Sequence, residues 1–337
     1  MTCYHPLHAF QFGLTKDGKP SYKITSNKVK SIYYDEVNHH YYMSDDPNKY
    51  DNNKYIDLPC GKCIGCRIDY SRNWALRCML ESEYHSITMF LTLTYDDAHV
   101  PHSSYVDYDT GEVKDILTLV PDDFTKFMKR LRYYYSDRYG KELRYFACGE
   151  YGSKTLRPHY HAIVFGLDLD DLKLVKQSGT GNDLYESELV NNAWGLGFAL
   201  LSESNFDTCA YTARYVMKKR KGKDADEYER FNIVPEFVRM SRKKGIGYQY
   251  YVDHKDDIYE HDEIILKDGK KFKPPKFFDD MYEVDCPEKF QEVKDNRIKC
   301  AQISDNVKEQ LFGDKYIRLS REEVSKNKSI AKLIREL

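Results

Sequence analysis

Apolar and polar positions along this chain recur with periods that change at turn residues. Residues 87–95 (ITMFLTLTY) are dense in β-branched and aromatic side chains. They predict a central strand with Phe90, Thr92 and Thr94 on one face and Leu91, Leu93 and Tyr95 on the other. From 122 to 138 the period turns helical: Phe124, Phe127, Met128, Leu131 and Tyr135 fall at i, i+3, i+4, i+7 and i+11. Lys126, Lys129, Arg130 and Arg132 occupy the other side of that helix, the usual make-up of a solvated face. Further strands are predicted at 143–150, 158–166 and 197–203, and helices at 68–85, 183–194 and 206–220, the last opened by an Asn or Asp cap.

Between these elements the pattern is weaker. Residues 1–58 read as irregular or hairpin-rich, and 96–120 as a loop with a turn at 108–111. Past Lys223 come a basic segment (235–247), an acidic stretch, and a linker at 270–278 around Pro274-Pro275. The tail is charged and helical, and Ser320 with Glu323 forms a capping box. This order of elements suits an α+β domain built on one sheet.

Composition adds bounds. At 337 residues the chain can bury a full core. No run approaches the roughly 18 apolar residues that span a bilayer, and the start lacks a signal-peptide pattern, so a soluble intracellular protein with no membrane partner is expected. A net charge of -2 means that any grip on nucleic acid must come from local patches. The 30 tyrosines include enough rings for base stacking, but a compositional bias explains the count at least as well. Nine cysteines, an odd number, point to metal or free thiols rather than a disulfide framework.

Three of them, Cys60, Cys63 and Cys66, stand at CxxCxxC spacing with glycines between, a compact thiolate knuckle. A structural Zn²⁺ needs a fourth ligand: Cys3 or His5 first, Cys78 or His85 next. Plain buried thiols are the competing reading. An iron-sulfur cluster is a weaker one, because no fourth Cys followed by Pro lies just downstream.

The stretch 157–166 (RPHYHAIVFG) holds two histidines one residue apart at the start of an apolar run. On a strand, His159 and His161 share a face. A hairpin with a loop of about eight residues brings Glu150 beside them. Two imidazoles and a carboxylate with open positions suit Mg²⁺ or Mn²⁺ acting as a Lewis acid. A bare HxH is otherwise more often just a pair of partly buried sheet histidines. On the predicted helix at 206–220, Tyr211 and Tyr215 are four apart on one face, with Lys218 and Lys219 extending it. Alone, such a pair is more often packing than chemistry. Beside a metal site, a tyrosine hydroxyl can attack a phosphate in line, with Lys218 offsetting charge or favouring the phenolate.

Together these blocks resemble the HUH endonucleases that initiate rolling-circle replication. More narrowly, the chain looks like the replication initiation proteins of the gokushovirus branch of the microviruses, small single-stranded DNA phages. The resemblance rests on PCGKCIGCR (59–67), FLTLTYDD (90–97), GEYG followed by RPHYHAIVFG, YTARYVMKK (211–219), and Glu236-Phe237 with Met240-Ser241-Arg242 and Gly245-Ile246-Gly247. It covers roughly residues 1–250. It implies a central antiparallel sheet of about five strands, an RRM-like palm, with helices on one face and the metal site on the other. An N-terminal Cys-rich region (1–85), a catalytic core (86–225) and a helical C-terminal extension (226–337) follow.

The implied activity is metal-dependent nicking of phage DNA at its origin through a covalent 5'-phosphotyrosine, with Tyr211 and Tyr215 alternating as nucleophiles. Implied partners are single-stranded or supercoiled origin DNA and the host helicase and replication machinery, in the host bacterial cytoplasm. Thr92 and Thr94 are implied as supports of the site. Tyr160 stands where the HUH pattern has a generic hydrophobe. A transposase or relaxase of the same chemistry, and a non-catalytic zinc-knuckle DNA-binding protein, are the alternatives.

Overall fold

The computed structural model describes residues 3–331 except 17, 19, 153, 154, 180, 205–207, 210, 211, 213–224 and 268. The chain divides into two compact units, one running up to Asp69 and resuming at Ile303, the other Tyr70–Gln302. In the first, β1 (Leu7–Leu14) pairs antiparallel with β2 (Pro20–Ser26) on one side and β5 (Tyr55–Leu58) on the other. Strands β3 (Ser31–Asp35) and β4 (His40–Ser44) make a separate hairpin. The tail helix begins at Lys315, not at the capping box read at Ser320. The Asp314 carboxylate accepts from the backbone N–H of Tyr316 and Ile317 at 2.9 and 3.0 Å. Aspartate therefore satisfies the orphan donors first, and Ser320 lies inside the helix.

The second unit contains Tyr70 onward of helix α1 (Ile64–Ser82) and then β6 (Thr88–Tyr95), β7 (His102–Val106), β8 (Val113–Leu117), α2 (Pro121–Tyr139), β9 (Arg144–Tyr151) and β10 (Pro158–Phe165). It continues through β11 (Lys173–Gln177), β12 (Asp183–Glu186), α3 (Glu188–Trp194), β13 (Gly197–Glu203) and β14 (Phe237–Met240). Among the described residues these build a seven-stranded antiparallel sheet in the order β11-β12-β13-β6-β10-β9-β14. The fold is the expected α+β architecture, with edge strands that local pattern had not separated from loops.

Three segments differ from expectation. Residues 96–120 contain the hairpin β7–β8, in which Asp107 N–H donates to Glu112 O across the turn at 2.8 Å. The predicted helix at 183–194 starts only at Glu188. Ser187 is its cap, accepting from Val190 N–H, and the residues before it pair as β12. The basic segment supplies the edge strand β14 opposite β9, and the linker at 270–278 holds a short strand (Lys271–Phe272) and the start of a helix at Lys276.

Period two explains the layering. On β6, Met89, Leu91, Leu93 and Tyr95 are buried beneath α2 and α3, packed on Phe124, Phe127, Leu131, Val190 and Trp194. Strand β10 is paired on both sides and almost wholly buried, as a central strand must be. The Tyr160 hydroxyl donates to Val120 O at 2.8 Å and accepts from Val120 N–H at 3.2 Å, tying β10 to the start of α2. Burial pushes this phenol up to about 12. On the opposite face, Trp74, Ala75, Cys78 and Met79 of α1 cover Phe146, Ile163 and Phe165. Apolar packing thus fills one end of that face, and the polar residues of β6, β9 and β10 lie at the other.

Gly197 is where β13 meets β6. Its φ is 148°, and an added Cβ would sit 2.3 Å from Thr94 O and 2.4 Å from Asp96 N, both backbone atoms. Gly197→Ala should cost about 3 kcal/mol, by analogy with overpacking that cannot relax. For a unit of this size that lowers Tm by about 6–12 °C in a calorimetric scan.

Candidate functional site

The HxH stretch occupies the first half of β10. Strand pairing puts His159 opposite Glu150 on β9 and Thr94 on β6, and His161 opposite Cys148 and Thr92. Glu150, His159 and His161 therefore face the same side of the sheet. Their nearest donor atoms all lie within 4.8 Å of one another. His159 Nε2 is 2.5 Å and His161 Nε2 3.2 Å from the same oxygen, Glu150 Oε1. Glu150 and His161 are buried, and His159 is the half-open member of the set.

The surroundings orient the rings. His159 Nδ1 lies 3.1 Å from Arg157 O, a carbonyl that can only accept, so the proton is on Nδ1 and Nε2 carries the lone pair. That lone pair faces a carboxylate oxygen at 2.5 Å, which requires a proton or a cation between them. Thr92 Oγ1 bonds His161 Nδ1 at 3.0 Å, turning its Nε2 to the same point. Phe90 stacks on the His161 ring, centroids 5.4 Å apart and planes 12° apart. Thr94 instead donates to Phe198 O at 3.3 Å. The stacking by Phe90 escaped the sequence reading, although its place two residues before Thr92 on one strand was the available signal. Burial alone would raise the Glu150 carboxyl; the hydrogen bonds from His159 and His161 outweigh it and hold it at about 2. An ionised carboxylate and two inward nitrogens form a donor set that fits a divalent cation. Neighbouring ligands around Mg²⁺ lie about 3 Å apart, close to the two carboxylate-to-nitrogen separations here.

The cysteine knuckle is a second such set. Cys3, Cys60, Cys63 and Cys66 bring their four sulfurs within 4.8 Å of one another. Cys3 fills the place left open in the local motif. His5 instead meets Glu323 at 2.7 Å, and Cys78 is buried in the cluster with Ile163 and Phe165. The Cys60–Cys66 and Cys3–Cys63 separations are 4.0 Å, and a tetrahedral ion with Zn–S bonds of about 2.3 Å sets sulfurs about 3.8 Å apart. Backbone N–H groups point at the sulfurs: Tyr4 at Cys63, Cys60 at Cys3, and Lys62 and Cys63 at Cys60, at 3.2–3.4 Å. Burial pushes the Cys3 thiol up to about 11; at Cys63 burial is outweighed by N–H donors including Cys66 and Tyr4, and the thiol falls to about 7. Four crowded thiols cannot all ionise without a cation, and these sulfurs fit one.

Tyr211, Tyr215, Lys218 and Lys219 lie outside the described residues. Of the predicted helix at 206–220, Thr208, Cys209 and Thr212 are described and helical, with Thr212 Oγ1 donating to Thr208 O at 3.0 Å. Cys209 is buried in the cluster with Ile163 and Phe165, on the sheet face that carries His159 and His161. Among the described residues no helix is long and apolar enough to cross a membrane.

The family model for replication-associated protein ORF2 matches residues 88–220, the stretch that holds the HxH strand and both tyrosines. Replication-associated protein ORF2 of Spiroplasma virus 4 is 38% identical over 277 residues, covering 79% of this chain and 82% of its own. Replication-associated protein VP4 of Bdellovibrio phage phiMH2K is 32% identical over 248 residues, 72% of either chain. Replication-associated protein ORF4 of Chlamydia phage 1 is 29% identical over 229 residues, 66% of this chain and 53% of its own. No solved structure matches the chain. Similarity of this degree over most of both sequences shows that the chain belongs to the family of phage replication-associated proteins.

Proposed function

We propose that the protein initiates phage DNA replication by nicking the origin and holding the cut end on a tyrosine. The observation that carries this reading is the convergence of His159 Nε2, His161 Nε2 and Glu150 Oε1 on one point of an otherwise apolar sheet face. These three residues would hold Mg²⁺ or Mn²⁺, which when bound supplies Lewis-acid polarisation of a phosphate oxygen. The hydroxyl of Tyr211 or Tyr215 attacks the phosphorus in line. A Tyr Oη–P bond forms, the P–O3' bond breaks, and the 3' oxygen leaves as a hydroxyl with the proton given up by the phenol. Lys218 and Lys219 offset charge on the phosphoryl oxygens. Because the phosphodiester is exchanged rather than hydrolysed, a 3' hydroxyl can reverse the step and rejoin strands. The helical Thr208, Cys209 and Thr212, with Cys209 packed on the metal-side face, support a tyrosine helix near the triad. The cysteine set would hold Zn²⁺ as a structural ion.

The test is incubation with an origin-containing oligonucleotide and Mn²⁺, followed by a denaturing gel. A protein band shifted by covalent DNA is expected, lost in the Tyr211→Phe/Tyr215→Phe double variant and retained in at least one single variant. If neither the wild type nor the single variants differ from a metal-free control, the nucleophile assignment is wrong.

A further inference from the structure

A groove of about 980 Å³ runs between α2 and the edge strand β14, and the triad does not use it. Its lining holds six Lys or Arg side chains and a single carboxylate, Glu142, in a chain whose net charge is -2. The basic helix face and the basic segment noted in the sequence meet here. Some of this charge is locally balanced. Arg144 pairs with Glu81, Lys141 lies 3.8 Å from Asp168, and Arg239 lies 4.0 Å from Asp122. Arg132 is held by neutral groups, donating to Leu143 O and to the Ser241 hydroxyl, with its guanidinium 5.1 Å from the Tyr145 ring centre. Arg242 and Lys243 are exposed and make no ion pair among the described residues. Two half-buried rings, Tyr145 and Phe237, lie among these cations.

The groove also abuts the triad along the chain. Phe237 pairs opposite Gly149, the neighbour of Glu150. A Cβ on Gly149 would meet the Phe237 ring at 2.6 Å, so only glycine lets the ring seat there. Cations without carboxylate partners beside aromatic rings are what a single strand of nucleic acid requires: phosphates meet the cations, and unpaired bases meet the rings. We propose that this groove takes the phosphate backbone of single-stranded DNA, with Arg132, Arg242 and Lys243 as its principal contacts. The inference rests on the nicking reading above, since it places DNA on this chain. Charged residues on an edge strand also keep it from pairing with another chain; that role alone would leave DNA affinity untouched.

The experiment uses the full chain and a fluorescein-labelled single strand of about 30 nucleotides, read by anisotropy over a salt series. The Arg242→Ala/Lys243→Ala variant should bind about tenfold more weakly at low salt, with its salt slope reduced by about 1.4 for two lost phosphate contacts. Arg132→Ala should lower the slope in the same direction. Unchanged affinity and slope in both variants overturn the proposal. So does competition by duplex DNA or polyglutamate as effective as that by the single strand. Covalent transfer is read in parallel. A wild type that forms no adduct while the groove variants lose affinity sinks the nicking reading and leaves the groove standing. Adducts in all proteins with equal strand affinity do the reverse.

Discussion

Replacing His159 and His161 with alanine should lower covalent transfer of DNA to the protein by about 10³-fold or more. Each imidazole aims Nε2 at Glu150 Oε1, and removing either leaves a carboxylate and one nitrogen. Lewis-acid assistance is worth several kcal/mol, and about 4 kcal/mol corresponds to the stated factor. His161 is buried, so its alanine variant leaves a cavity and loses stability for reasons unrelated to chemistry. Glu150→Gln is the needed companion. It keeps the shape of the side chain, removes the anionic ligand, and should lose transfer to a similar degree at a retained Tm. Binding of single-stranded DNA is expected to persist in all three variants. A non-catalytic DNA-binding protein with the same histidines would behave otherwise: the wild type would form no adduct in any metal, and the histidine variants would change Tm alone. Transfer at wild-type rates in Glu150→Gln would remove Glu150 from the site.

The second large effect is at the knuckle. Purified protein should carry about one zinc per chain, and Cys60→Ser/Cys63→Ser should lose it. Zinc binding in small Cys-rich sites contributes about 10–16 kcal/mol of apparent free energy, so metal loss is a folding event. Cys3 and Tyr4 are held to this knuckle through sulfur hydrogen bonds and packing with Leu319. Limited proteolysis of the double variant should therefore cut within the first unit, and the same pattern should appear in wild type treated with a chelator. Zinc-free protein that resists proteolysis under reducing conditions would return these cysteines to ordinary buried thiols. The two experiments separate cleanly, because Mn²⁺ or Mg²⁺ at the carboxylate-histidine set exchanges easily while zinc in four thiolates does not.

The parts of the molecule that could be read in advance share a property. Each depends on residues close in sequence, where a backbone period or a short loop leaves little freedom. Period two on β10 puts His159 and His161 on one face, and the short connection to β9 leaves Glu150 directly opposite His159. The 3.6-residue period of α2 selects Phe124, Phe127, Met128, Leu131 and Tyr135, all buried. CxxCxxC brings three sulfurs together with few choices. Edge strands were harder. Residues 183–186 and 237–240 carry no strong alternation and become strands only because β13 and β9 offer unpaired backbone beside them. Local pattern has no access to that offer, and the hairpin within 96–120 was missed for the same reason.

What the sequence alone determined, then, is the local chemistry: two imidazoles on one strand face, a carboxylate within reach, and three clustered thiols. The tertiary structure decided which distant group completes each set. Cys3 rather than His5 joins the knuckle, because the chain returns Cys3 Sγ to the Cys60 N–H at 3.2 Å while His5 turns to Glu323. Phe90 and Thr92 fix the His161 ring because β6 pairs beside β10 in that register. Tyr160, to all local signs a packing residue, bonds the start of α2 through its hydroxyl. Contacts between residues far apart in sequence depend on the path of the whole backbone, which is fixed by the summed burial of both sheet faces and not by any single motif.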